Sequence, residues 1–351
     1  MIDRMNPPMS IEVTARSLAS LFLFAGLVCS PLVQAQPKTF TVAAGGSGDF
    51  KTVEAAIGAV PAGNSERLVI RIKPGKYREK ITIPLDKTFV SLIGEDPRNT
   101  ILTNDWNTHH AGPGGREVGT MGSTSVRIDA ADFIAENITF ENTAGDNGQA
   151  VALAATGDRQ VFRNCRMIGW QDTLYANGGR QYYDRCEIEG RVDFIFGSAT
   201  AVFDHCLIHS KNGGHVPAAS TAQQTRWGYV FLDCKLTGDA KPWHDPAATQ
   251  PAKVTPTADL GRPWRPYASV TFVRCELGDH IKPQGWSQWR PADGTDKTAR
   301  YAEYACTGPG ADRAKRVPWA KELTASEAAE LTVERILGGT DGWKPNTERA
   351  H

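Results

Sequence analysis

Five cysteines, each at the same place in a short recurring run, constrain this 351-residue chain more than any other feature. The runs are Val161-Phe-Arg-Asn-Cys165-Arg-Met, Tyr182-Tyr-Asp-Arg-Cys186-Glu-Ile, Val202-Phe-Asp-His-Cys206-Leu-Ile, Val230-Phe-Leu-Asp-Cys234-Lys-Leu and Thr271-Phe-Val-Arg-Cys275-Glu-Leu. Each has an aromatic residue three before the cysteine and an apolar residue two after it. Phe133-Ile-Ala-Glu-Asn137-Ile-Thr-Phe140 fits the same frame with Asn137 in the cysteine position, and the intervals are then 28, 21, 20, 28 and 41 residues. Self-similarity near 20 residues, with insertions, marks a solenoid. Val, Ile, Phe, Tyr and Thr fill the runs without the leucine lattice of a helical repeat, so the unit is a strand. Coils of short strands stacked on themselves make a parallel β-helix whose like residues pile up about 4.8 Å apart. The cysteines then form an inward column of small buried hydrophobes. Asn137 heads it with its amide bonded to backbone, which leaves the Asn137-Ile-Thr139 sequon buried. A disulfide between neighbours such as Cys206 and Cys234 stays open, because spacing does not set connectivity.

Such a coil needs closed ends. Val53, Ala56, Ile57 and Val60 share one helical face, which suits a helix over the N-terminal opening. Thr324-Ala-Ser-Glu327 is a capping box ahead of a helix running to about Leu337, expected at the other end. Ahead of the repeats, Arg16, an apolar run from Leu18 to Val28, and the small residues Val33 and Ala35 read as a secretory signal over residues 1–35. The run is short of the roughly 20 residues a spanning helix needs. The expectation is therefore a single domain over 36–351, soluble, monomeric and secreted, extracellular or periplasmic. With 39 basic against 39 acidic residues there is no cationic excess for nucleic acid, and 40% hydrophobic residues exclude a disordered chain. The Pro-, Ala- and Thr-rich stretch 239–259 reads as a surface insertion between coils.

The repeat gives polar residues a phase. Gln149 lies 16 before Cys165, while Gln171 and Asp172 lie 15 and 14 before Cys186. Asp193 and Arg262 each lie 13 before a cysteine, and Asp172 and Asp193 each seven after one. Two carboxylates, two amides and a guanidinium thus fall near one column. Neighbouring carboxylates push their pKa values apart, so one stays ionised while the other keeps a proton. An arginine holds the ionised one in place, and neutral amide donors suit an oxyanion growing on an attacked carbonyl. Acyl transfer through a carboxylate nucleophile follows. A lone Asp in such a coil is more often structural; five such groups in phase reverse that preference. His205 and His209, four apart on a strand and turn, do not converge on a metal.

At these residues the chain resembles the pectinesterase (pectin methylesterase) family over about residues 39–310. The segments that carry the likeness are Pro74-Gly-Lys-Tyr-Arg-Glu79, Gln149-Ala-Val-Ala-Leu153, Gly169-Trp-Gln-Asp-Thr-Leu-Tyr175, Val192-Asp-Phe-Ile-Phe-Gly197 and Leu260-Gly-Arg-Pro-Trp264. The resemblance implies a right-handed parallel β-helix that demethylates galacturonate units of pectin without metal or organic cofactor. It implies Asp193 as nucleophile, Asp172 as general acid and then base, Gln149 and Gln171 as oxyanion donors, and Arg262 as the partner of Asp193. It also implies a sugar cleft lined by Thr120, Tyr175, Phe196 and Trp264, with Trp286 as a further contact beside Gln149 and Arg262. Strand alternation alone would turn Phe196, three after Asp193, to the opposite face. Two other readings compete. A β-helix lyase wants an acidic calcium cluster with a basic proton abstractor, or a glycosidase an acid/base pair without the amides. A catalytically silent β-helix would only bind polysaccharide or a surface partner.

Overall fold

The computed structural model describes residues 38–239, 257–348 and Ala350. The expected leader over 1–35 and residues 240–256 of the expected insertion lie outside the described residues. The rest winds into a parallel β-helix. One wall is a sheet of eleven parallel strands that takes one strand per coil, from Lys38–Val42 through Gln160–Arg163, Arg180–Asp184 and Thr200–Asp204 to Lys321–Glu322. The other walls form two lanes, one through Arg166–Ile168 and one through Leu153–Ala155 and Leu174–Ala176. They merge where the long strands Glu187–Gly197 and Leu207–Ala219 run across both.

The interior is a set of ladders. Phe162, Tyr183, Phe203, Phe231 and Phe272 stack face to face at centroid spacings of 4.9, 4.7, 4.5 and 4.4 Å. That is the strand spacing itself, so flat rings in successive coils pack with no offset to absorb. Phe231 is fully buried in the middle of this stack. Phe231→Ala should cost about 3–5 kcal/mol, read as a lowered denaturant midpoint.

The cysteine column exists, as free thiols, and Cys306 extends it to six. Burial pushes the Cys165 thiol up to about 12, so it packs as a neutral small residue. Cys306 escapes the sequence frame because Glu303, not an aromatic residue, stands three before it. The frame was also off by one at its first member. Ile134 pairs with Val161 and Glu136 with Arg163, so Ile138 stands opposite Cys165 and Asn137 opposite Asn164. Ala135, not an aromatic residue, stands opposite Phe162, and Phe133 lies two residues before that place. Asn137 is only half-buried, and its amide reaches Gly94 O at 3.4 Å. It belongs instead to a row of turn residues with positive φ: Asn137, Asn164, Arg185, His205, Asp233, Arg274 and Ala305, at 47–58°. This repeated left-handed residue turns one wall into the next.

The helices divide. Val53–Gly58, capped by Thr52, buries Val53, Ala56 and Ile57 against the first coils as expected. At the C-terminus the capping box forms, but it opens a helix of only Ala325–Ala328, and Thr332 caps a second, Val333–Leu337. Nor do these close the coil's end. They lie along the outside of the eleven-stranded sheet, where Leu331, Ile336, Leu337 and Trp343 cover Val69, Ile134, Val161, Val202 and Val230. Those outward valines leave the wall apolar on both faces, and such a wall needs a cover.

Candidate active site

The site stands on the outer face of the merged lane, and register builds it. Leu174 pairs with Ile195 and Tyr175 with Phe196, which sets Asp172 opposite Asp193 in adjacent coils; Asp172 N–H donates to Val192 O at 3.1 Å. One coil earlier, Ala150 N–H donates to Gln171 O at 3.1 Å, bringing Gln149 alongside, and Thr108 N–H holds the Gln149 carbonyl at 2.8 Å. Asp172 and Asp193 both have left-handed backbones, φ 63° and 51°. A non-glycine residue there costs of order 1–3 kcal/mol and is characteristic of functional sites. The same distortion explains Phe196. The long strand shifts register between Val192 and Ile195, around Asp193, so residues 193 and 196 face the same cleft despite their odd separation. Glycine makes the bend possible: a Cβ on Gly190 would meet Phe194 Cβ at 2.3 Å and Trp170 O at 2.7 Å.

Arg262 arrives from two coils further on. Its strand pairs with Ala218, which pairs with Phe196. The methyl of Ala218 leaves room for the guanidinium to reach back over that coil. It grips Asp193 in bidentate fashion, Nε to Oδ1 at 2.9 Å and Nη2 to Oδ2 at 2.7 Å. Asp193 is 5% exposed and Asp172 9%. Among the described residues Asp172 has no such clamp. Burial, then the negative charge of Asp193, raise its pKa well above the usual carboxylate range, with Arg262 opposing them. The pair is therefore unequal by construction, one carboxylate held by a cation and the other shifted by burial toward its protonated form.

Around them lies a cleft of about 260 Å³ lined by Thr120, Met121, Gln149, Gln171, Tyr175, Phe196, Ala218, Trp264 and Trp289. Tyr175 stacks on Phe196 at 4.5 Å, and Trp264 meets Phe196 edge-on at 6.0 Å. Aromatic faces of this kind suit the apolar faces of sugars. Trp286 is not among them, and that expectation is corrected. It is 1% exposed, packed between Phe272 and Tyr301 at 5.7 and 4.7 Å, with its indole N–H on Glu303 Oε1 at 3.1 Å. Trp289 joins Trp264 in the cleft, and it also lies over the Arg262 guanidinium at 4.2 Å. Sequence reasoning missed it because the choice between two tryptophans three apart rests on Glu303, a partner 17 residues away from Trp286. His205 and His209 are locally bonded, to Asp204 at 2.6 Å and to Thr237 and Asp239 at 2.9 and 3.0 Å.

A parallel β-helix with an unequal carboxylate pair beside amide donors is the equipment of a carboxylic ester hydrolase acting on a polysaccharide. The profile of the Pectinesterase family matches residues 39–340. The chain belongs to the pectinesterase family, and its activity is that of a pectin methylesterase. Pectinesterase 31 of Arabidopsis thaliana is 42% identical over 294 residues, covering 82% of this chain and 88% of that protein. The pectin methylesterase from carrot superposes with a TM-score of 0.80 at 33% identity, covering 90% of this chain and 98% of that one. A pectin methylesterase solved in complex with a hexasaccharide gives 0.76 at 28% identity, covering 89% and 99%. Among the described residues no helix is long and apolar enough to cross a membrane.

Proposed function

We propose that Asp193 is the nucleophile and Asp172 the proton carrier of this esterase, acting on methyl-esterified galacturonate in pectin. The observation that carries the assignment is the in-register pair, Asp193 clamped by Arg262 and the buried Asp172 beside it, its pKa raised by that burial. The Asp193 carboxylate attacks the ester carbonyl carbon, and the oxyanion that forms is met by the side-chain amides of Gln149 and Gln171. As the intermediate collapses, the C–O bond to the methoxyl group breaks and Asp172 gives its proton to departing methanol. An acyl anhydride on Asp193 remains. Asp172, now a carboxylate, takes a proton from water as its oxygen attacks the anhydride's galacturonyl carbon. The free galacturonate acid leaves, Asp193 is regenerated as a carboxylate, and Asp172 is reprotonated.

Thr120, Tyr175, Phe196, Trp264 and Trp289 hold the sugar chain in this reading. That a related pectin methylesterase was solved in complex with a hexasaccharide supports a polysaccharide as the ligand. The composition of residues 1–35 supports export, and the exported enzyme acts as a monomer in this reading. Methanol release from methyl-esterified pectin tests the reaction. Release that persists with a chelator present is expected; chain cleavage with new unsaturated ends, abolished by the chelator, would establish a lyase instead.

A further inference from the structure

Across the cleft face, six outward residues of successive coils stand in register: Arg127, Ala154, Tyr175, Phe196, Ala218 and Arg262. An arginine stands on each side of an aromatic pair, and each is separated from that pair by an alanine. Arg262 is committed to Asp193. Arg127 is not committed in the same way. Its side chain is 47% exposed, and Nε alone donates, to Asp129 Oδ1 at 2.8 Å. That same oxygen accepts from Thr156 Oγ1 at 2.5 Å. Among the described residues the two terminal nitrogens of Arg127 donate to no protein group. Lys80, just before the strand that pairs with the Arg127 strand, is turned to the carbonyls of Gly122 and Thr124 at 2.6 and 2.9 Å. Ala154 places only a methyl between Arg127 and Tyr175. The Arg127 charge reaches the Tyr175 phenol, opposing the rise that burial gives its pKa. Three strand spacings, about 14 Å, separate the Arg127 strand from that of Asp193. A group at Arg127 therefore belongs to a different sugar from the one whose ester is reacting.

We propose that Arg127 is a specificity residue that binds the free carboxylate of an already de-esterified galacturonate unit while the ester of another unit of the same chain lies at Asp193. The proposal rests on the reading of the cleft as a pectin site. A guanidinium with two free N–H edges matches a carboxylate in geometry and charge. A methyl ester offers neither the charge nor the second acceptor of equal strength, so the residue distinguishes the product of one turnover from its substrate. The carboxylate left by an earlier reaction then helps to bind the chain for the next one.

The test compares kcat/KM for methanol release on fully methyl-esterified and on half de-esterified polygalacturonate. For an exposed ion pair, the wild-type preference for the half de-esterified polymer should be about three- to fivefold and should shrink as salt is raised to about 0.5 M. Arg127→Gln should bring the ratio close to one, with the change carried by KM. Asp129→Asn, which removes the counter-charge, should raise the ratio. A ratio unmoved by Arg127→Gln, or lowered by Asp129→Asn, would overturn the role of Arg127 while leaving the esterase reading intact. A wild-type protein that releases methanol from neither polymer overturns both.

Discussion

Asp193→Asn is expected to release methanol at least about 10⁴-fold more slowly than the wild type, the scale seen when a covalent nucleophile is removed. The loss should lie in kcat. Asparagine keeps the shape of the side chain and one oxygen to accept from Arg262, but its neutral amide cannot form the anhydride. The packing around a position that is 5% exposed is kept, so the folded chain should melt close to the wild-type temperature. Near-normal turnover would remove Asp193 from the role. The same variant carries a second readout. The charge of Asp193 is one of the two causes that raise the Asp172 pKa. In Asp193→Asn that cause is gone and Arg262 is released from its clamp, and both changes favour ionised Asp172. Its carboxyl should titrate lower than in the wild type, as followed by carbon NMR of the labelled side chain. An unmoved titration would mean that the two groups do not share a field.

The part of this site that was legible in the sequence was legible through counting. Asp172 and Asp193 each stand seven residues after a cysteine, and the structure sets them opposite one another because the wall between those points has the same length in both coils. Counting fails where coils differ in length. Arg262 lies 13 before Cys275, as Asp193 lies 13 before Cys206, yet its strand partner is Ala218 and the row it joins leads to Phe196, not to Asp193. Its guanidinium finds Asp193 because an arginine is long and Ala218 is short. Phe196 itself was undecidable by alternation, since the left-handed backbone at Asp193 breaks the period of two just before it. Trp286 and Trp289 were separated by a buried charge, Glu303, that Arg313 and Arg316 also bind at 2.8 and 3.0 Å. No local pattern announces that network. The C-terminal helices were visible as helices, through Thr324 and Glu327. What they cover was not, because it depends on outward valines contributed by strands from Leu68–Ile72 to Tyr229–Leu232. Periodicity thus reports the coil, and close approaches between coils of unequal length report the chemistry.

Asp172→Asn separates catalysis from stability in opposite directions. Loss of the general acid should slow methanol release by about 10²–10⁴-fold. In the wild type Asp172 must be protonated to start the reaction, so kcat/KM should fall as pH rises through its raised pKa. That alkaline limb should be absent from the residual activity of the variant. Stability runs the other way. An aspartate in the unfolded chain titrates near 3.9, while Asp172 in the folded chain titrates well above the usual range, chiefly through burial. Between those two values the folded chain holds a proton that the unfolded chain has released. Unfolding then becomes easier as pH rises across the window, and the deficit persists above it. Asparagine at 172 has no proton to lose. The variant should therefore melt above the wild type at pH 7, and the gap should close below about pH 4, as measured by Tm against pH. A variant that melts lower than the wild type at pH 7, or a gap that does not close in acid, would show that the buried carboxyl of Asp172 is not held neutral at a cost to the fold.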